Sequence, residues 1–320
     1  MSGGPRTDGV LVLDRAQTRA ALDPAAVLAA VSTALVAISR QTASAPPRIA
    51  AFAPAGLLGA MPGYVPGLGL AAKLVSVFAA PGQVGRSSHR GVVALFDEQD
   101  GRLLALMDAE PLTAVRTAAT ATQSLLALAR PDPARIAVIG TGAQAEAQLA
   151  LLAALGSRTP VVVGGRDPLR ARELADRQPN ASAATVEAAV RGSDVVLCCT
   201  GAREPVLRRA WLAEGAHISS VGGSHGPELD PETIRDGSLF TEWPGAAAEA
   251  PPAGAHELQG LAQERAVLLG AVLDGRHPGR RGPSELTVFK STGHAALDVA
   301  AASVVHAYAR AHGLGTAVDM

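Results

Sequence analysis

Ile136-Ala137-Val138-Ile139-Gly140-Thr141-Gly142-Ala143-Gln144-Ala145 is the stretch that decides the fold. The uninterrupted apolar run at its start reads as a strand buried on both faces, and a G-x-G-x-x-A turn follows that opens a helix. In such a turn the first glycine allows the tight reversal and the second lets backbone approach a pyrophosphate. The small third residue lets helix and strand pack closely. The helix start offers unpaired N–H groups and the positive end of its dipole to phosphate. Working outward, residues 160–163, 194–199 and 217–221 read as further short apolar strands, with helices over 143–155 and 168–177. Buried strands alternating with helices predict an α/β fold, a Rossmann-type doubly wound parallel sheet that takes a dinucleotide.

Upstream the texture changes. Residues 10–13 read as a strand, and the helix after it is apolar at Val27, Leu28, Val31, Leu35 and Ile38 until Pro46-Pro47 ends it. Between Arg48 and Met107 the pattern is β-rich, with strands at 70–78, 91–96 and 103–107 and a hairpin loop at Asp97-Glu-Gln-Asp-Gly101. A helix over 112–129 runs to the breaker Arg130-Pro-Asp-Pro133, where a domain boundary is expected. Residues 244–255, rich in Ala, Pro and Gly, read as a loop, and a last helix spans 295–311. The expected organisation is an α+β domain of residues 1–130 plus 297–320, and a Rossmann domain of residues 131–296.

Composition narrows the partners. Hydrophobic residues at 48% and charged residues at 18% of the 320 allow a sizeable core and exclude general disorder. Aromatics at 3% leave little to stack bases on, and 28 basic against 29 acidic side chains create no field for a polyanion or a membrane surface. Cys198 and Cys199 are adjacent, so on a strand they point to opposite faces; they read as buried thiols, not as a disulfide or a metal site. Residues 1–14 lack the pattern of a secretory signal, and no apolar stretch reaches the roughly 18 residues of a membrane helix. A soluble cytoplasmic protein with no metal, membrane or nucleic-acid partner is expected.

The end of the second Rossmann strand bears on the choice of dinucleotide. An acidic residue there suits the ribose hydroxyls of NAD, whereas a small residue with an arginine suits the 2′-phosphate of NADP. The chain reads Val163-Gly164-Gly165-Arg166-Asp167, which favours NADPH over NADH; Asp167 is either the cap of the next helix or a displaced ribose ligand. Candidate cofactor residues are therefore Gly140, Thr141, Gly142, Ala143, Gln144, Gly165 and Arg166, with Thr200 after the strand at 194–199. In the other half, Arg48, Lys73 and Arg116 stand in apolar surroundings. Lys73 either is paired in a cleft or lies on the solvated face of an edge strand. Two arginines and a lysine converging on one pocket would suit a small carboxylate.

These residues belong to longer words: Met61-Pro62, Lys73-Leu-Val-Ser-Val-Phe78, Ser88-His89, Gly91 to Asp97, Gly101 to Asp108 and Leu112 to Ala119. The words continue with Ile139 to Ala145, Gly215 to Ile218, Glu228-Leu-Asp230, and Phe289-Lys-Ser-Thr-Gly293 followed by Asp298. Through them the chain resembles the ornithine cyclodeaminase/μ-crystallin family over nearly its whole length. The resemblance implies a homodimer, with a substrate and dimerisation domain built from the N-terminal half plus the final helix. It implies that Arg48, Lys73 and Arg116 hold a substrate carboxylate, with Lys73 and Arg116 the catalytic candidates, and it adds Met61, His89 and Ser224 as substrate contacts. It also places Val221-Gly222 and Lys290 to Gly293 beside a nicotinamide.

Members of the family differ in chemistry, and this chain departs from the cyclodeaminases. In Gly222-Gly223-Ser224-His225-Gly226-Pro227-Glu228, Ser224 stands where they carry an Asp. Arg90 after His89 either meets a second acidic group or is solvated, and His225 is either a proton donor or an exposed loop residue. His217 and His294 read as structural. The expected activity is NAD(P)H-dependent reduction of an α-imino acid or cyclic ketimine to an amino acid, or the reverse dehydrogenase reaction. The alternatives are an ornithine or lysine cyclodeaminase using catalytic NAD, and a non-catalytic NADPH-dependent ligand-binding protein of the μ-crystallin type.

Overall fold

The computed structural model describes residues 9–78, 89–223 and 225–320, apart from the side chains of His89 and Gln263. The expected contact Ser224 and the side chain of His89 thus lie outside the described residues. The first six strands are β1 (Val10–Leu13), followed by the helices Arg15–Ala20 and Pro24–Ser39, and then β2 (Ile49–Ala53), β3 (Gly56–Val65), β4 (Gly69–Phe78), β5 (His89–Phe96) and β6 (Leu103–Asp108). After the helix Ala109–Leu128 come β7 (Ile136–Ile139), β8 (Val161–Gly164), β9 (Ala181–Ala184), β10 (Val195–Cys198) and β11 (His217–Ser220). The last are β12 (Ser238–Thr241), β13 (Ala266–Leu268), β14 (Thr287–Lys290) and β15 (Thr316–Val318). The chain divides into one unit of Met1–Ala34, Gln41–Arg116 and His294–Met320, and another of Leu35–Arg40 and Thr117–Gly293. That division runs through the helix Ala109–Leu128, upstream of the Arg130-Pro-Asp-Pro133 breaker.

The first unit holds a seven-stranded sheet in the order β15-β1-β6-β5-β4-β3-β2. Its β2–β6 part is an antiparallel meander. The hairpin loop falls where expected: the Asp97 N–H donates to Arg102 O at 2.9 Å, and Gly101 adopts φ +74°. Strands β2 and β3 are additions to the sequence reading. Their Ala, Gly and Pro content is poor in strand formers, so pairing, β3 with β4 and β2 with β3, and not local propensity makes them strands. Pro62 lies beyond the end of β2, where its missing N–H costs no pairing to that strand.

The helix Ala295–His312 packs on β3 and β4. Gly63 permits the approach, because a Cβ there would stand 3.0 Å from Ala295 Cβ. Ala71 and Lys73 of β4 are consequently buried, while Leu70 and Leu74, on the opposite face of the pleat, stay exposed. Lys73 is therefore an interior residue of an interior strand, which removes the solvated-edge alternative.

The second unit is the expected doubly wound sheet. Its eight strands run parallel in the order β13-β12-β14-β11-β10-β7-β8-β9, and the winding reverses at β7. Strands β7, β10, β11 and β14 are buried along their whole length. Apolar clusters cover both faces of the sheet; Cys198 joins one and Cys199 the other, each a free buried thiol. Strands β9, β12, β13 and β14 are further additions to the sequence reading; β9 is Ala-Ser-Ala-Ala, poor in strand formers, and β13 has only three residues. The segment 244–255 is less of a loop than its composition suggests. It contains the short helix Gly245–Ala248, with Ala246 and Ala247 buried. Among the described residues no helix is long and apolar enough to cross a membrane.

Candidate active site

At the carboxyl end of β7, Gly140 adopts φ +125°, and a Cβ on it would lie 2.5 Å from Cys199 O. Only glycine fits there. A Cβ on Gly142 would meet nothing within 4 Å, so the backbone lies open on that side. Gly142 also caps the helix Ala143–Ala154 with no side-chain hydrogen bond to the helix start. An open backbone, an uncapped helix start and a fully buried Ala145 are what a pyrophosphate needs. Thr141 sits over Gly165, whose Cβ would come within 2.7 Å of Thr141 Cγ2. Asp167 resolves as the helix cap, accepting from the N–H groups of Leu169 and Arg170. Arg166 beside it is exposed and forms no ion pair among the described residues.

A buried polar knot ties the carboxyl ends of β10, β11 and β14. Glu228, wholly buried, accepts from Thr200 N and Oγ1 at 2.7 and 2.6 Å, and from Ser220 Oγ and Gly222 N at 2.6 and 2.9 Å. Lys290 Nζ donates to Ser220 Oγ at 2.8 Å and Gly222 O at 3.0 Å, and pairs with Glu257 at 3.0 Å. Thr200 and Lys290, both expected near the cofactor, thus engage internal partners. Val221 continues the strand pairing, its N–H donating to Cys198 O at 3.0 Å. Glu242 organises the next segment, with one oxygen accepting from Ser291 Oγ, Thr292 N and Gly293 N at 3.2, 2.7 and 2.7 Å. Burial pushes the Glu242 carboxyl above its ordinary range, against those bonds. His217 is structural, buried between Ser124 and Thr287; burial depresses it to about 3 and keeps it neutral. His225 is exposed.

The first unit brings the expected cations together on a carboxylate. Asp298, 1% exposed, pairs with Lys73 Nζ through Oδ2 at 2.7 Å and accepts from Arg116 Nε through Oδ1 at 3.0 Å. Lys73 and Arg116 are each 5% exposed, and Arg48 is half-buried. Met61 is buried directly opposite Lys73 in the β3–β4 pairing. Burial drives Lys73 down to about 8 despite the opposing pull of Asp298, with Arg116 and Arg48 adding to the fall. Burial alone would raise the Asp298 carboxyl, but Lys73 and Arg116 outweigh it and hold it below its ordinary range. His294, at the helix start, is pushed by burial to about 4 and is neutral. Among the described residues no cluster of His, Cys, Asp and Glu could hold a metal.

Asp298, Glu228, Glu257 and Glu242 were not identified as site residues from sequence. One signal was available. The chain contains only two lysines, Lys73 and Lys290, and its other basic residues are arginine. Both lysines are buried in ion pairs, which sets them apart from the arginines that make up the rest of the Lys and Arg count.

A doubly wound parallel sheet with an open glycine turn at the carboxyl end of its first strand defines a Rossmann-fold protein of the dinucleotide-binding kind. More particularly, residues 10–313 match the model of the ornithine cyclodeaminase/mu-crystallin family, and the chain belongs to it. It is 33% identical to the mouse ketimine reductase mu-crystallin, over 78% of this chain and 80% of that protein. Among solved structures it resembles the Delta(1)-pyrroline-2-carboxylate reductase of Thermococcus litoralis in complex with NADH and L-proline. The TM-score is 0.86 at 28% identity, covering 97% of this chain and 100% of that one. An archaeal alanine dehydrogenase dimer with bound NAD is similar with a TM-score of 0.85 at 27% identity, covering 97% and 99%.

Proposed function

We propose that the protein is an NAD(P)H-dependent imine reductase converting an α-imino acid or cyclic ketimine to the amino acid, or running the reverse reaction. The observation that carries this reading is the buried Lys73–Asp298–Arg116 cluster. With Arg48 near, it gathers three cations in one place, and their positive charge suits a small carboxylate substrate. The guanidinium groups of Arg116 and Arg48 orient that carboxylate, and Lys73 delivers a proton to the substrate nitrogen. When bound, the nicotinamide supplies the hydride for the carbon, held by the Gly140 turn and the backbone around Gly222. A protonated C=N is already electrophilic, so the protein contributes orientation and charge in place of a strong acid. The similar ketimine and pyrroline-2-carboxylate reductases support the reaction class. Ser224 in place of an Asp argues against the cyclodeaminase alternative, and the intact cation cluster argues against a binding-only protein.

NADPH is the favoured cofactor, because Asp167 is occupied as a helix cap while Arg166 is exposed beside it. Arg166→Ala is expected to raise KM for NADPH at least about tenfold, the loss of one charge-assisted contact, and to leave KM for NADH within about twofold. Equal effects on both would remove Arg166 from the choice. A homodimer is inferred from the first sheet. Ile49, Leu58, Leu70, Leu74 and Phe78 are exposed on one face of β2, β3 and β4, an apolar patch that a second copy would cover. Leu74→Glu is expected to yield a monomer by sedimentation equilibrium; an unchanged mass would place any interface elsewhere.

The reaction is tested by loss of NADPH absorbance with preformed cyclic ketimines and with α-keto acids plus amines, alongside ammonia release from ornithine. Steady consumption with one imino acid supports the reading. Ammonia release without consumption would show a cyclodeaminase, and no response in either assay would leave the binding role.

A further inference from the structure

We infer that Asp298 is a positioning residue that holds the Lys73 ammonium in its charged form beside Arg116, and thereby sets the pH range over which Lys73 can donate a proton. This rests on the reading of Lys73 as the proton donor. The geometry is specific: each Asp298 oxygen engages one cation, Oδ2 the lysine at 2.7 Å and Oδ1 the arginine at 3.0 Å, in a carboxylate 1% exposed. The helix that carries Asp298 is fixed in height by the contact of Ala295 with Gly63, one helical turn away on the same face. An acid inside the run Ala295-Ala-Leu-Asp298-Val-Ala-Ala-Ala302 is costly unless it is paired, and here it has two partners.

The groups around Lys73 leave Asp298 as the one that favours the charged amine. Arg116, from the helix Ala109–Leu128, and Arg48, just before β2, both oppose a third positive charge. His294, at the start of the Asp298 helix, is neutral through burial, and Met61 on β3 carries no charge. Without the carboxylate, a buried ammonium beside two guanidinium groups would shed its proton. With it, attraction offsets part of the burial, and Lys73 falls only to about 8, a useful value for an acid working near neutral pH. In the step itself an N–H bond of the ammonium breaks as one forms at the substrate nitrogen. A bound reduced nicotinamide would supply the hydride pair and be left oxidised, and the neutral Lys73 regains its proton from water. The retention of lysine here, in a chain whose other basic residues except Lys290 are arginine, fits a role that needs a titratable amine.

That scarcity makes the test direct. Protein labelled with ε-13C-lysine gives two lysine signals, assigned with Lys73→Arg, and the Lys73 signal is followed against pH in the wild type and in Asp298→Asn. The wild-type titration is expected near pH 8, and the Asn variant about one to three pH units lower, with the basic limb of kcat/KM moving by the same amount. An unmoved titration in Asp298→Asn overturns the inference, as does a uniformly slower enzyme whose limb stays in place. Should the Asn variant fail to fold, Asp298→Glu keeps the charge. It is expected to leave the titration within about half a unit, and a fall as large as one unit would overturn the inference. A shifted titration with no imine reduced in any assay would uphold the hold of Asp298 on Lys73 while the functional reading fails.

Discussion

Lys73→Met is expected to lower kcat/KM by at least about 10³ while leaving the dissociation constant for NADPH within about twofold. Methionine keeps most of the volume and the unbranched shape of the lysine stem, so the site between Met61 and the Asp298 helix stays filled. What goes is the charge. Asp298 retains Arg116 as a partner, which limits the cost of leaving one of its oxygens without a cation. Two losses then add: the attraction for the substrate carboxylate and the proton for its nitrogen. The glycine turn belongs to the other unit and contains no charged residue, so dinucleotide affinity has no reason to follow. Absorbance assays of turnover and titration of NADPH fluorescence read the two quantities separately. Turnover within tenfold of the wild type would remove Lys73 from the mechanism and leave Arg116 and Arg48 as simple carboxylate binders.

The nucleotide half was legible because one turn has few solutions. A strand that ends against Cys199 O at Gly140 can reverse only with glycine, and that requirement is written in the sequence as a local pattern. Strands β2 and β3 were not legible for the opposite reason. Ile49-Ala-Ala-Phe-Ala53 and Gly56-Leu-Leu-Gly-Ala-Met-Pro-Gly-Tyr-Val65 become strands by pairing in turn onto the sheet, β3 on β4 and β2 on β3, and not through their own propensity. The site divides in the same way. Lys73 and Arg116 stood out as charges among apolar neighbours, but Asp298 lies 182 positions beyond Arg116, and nothing local shows that it joins them. Glu228 stands in the sequence as one acid of Glu228-Leu-Asp230, and nothing local shows its task. Its bonds to Thr200, Ser220 and Gly222 exist only once three strands end side by side.

That knot yields the second large effect. Lys290→Met is expected to destabilise the unit that contains it by about 3–5 kcal/mol, the usual cost of breaking a buried ion pair by removing one partner. The ammonium holds Glu257 at 3.0 Å and stands 4.0 Å from Glu228, and both carboxylates are buried with no other cation paired to them among the described residues. Substituting the lysine leaves two like charges together and frees Ser220 Oγ and Gly222 O from their donor. Arginine is no simple remedy: Nζ is enclosed by Ser220 Oγ, Gly222 O and Glu257, all within 3.0 Å, partners set for a point charge and not for a planar fork. Both tryptophans, Trp211 and Trp243, lie in this unit, so their fluorescence during urea unfolding reports on it alone. The experiment also separates two roles for Lys290. A residue that chiefly contacts the cofactor would leave the unfolding midpoint unchanged and raise KM for NADPH. One that chiefly closes the knot would lower the midpoint of the cofactor-free protein, and a loss below about 1 kcal/mol would sink the knot as a stabilising element.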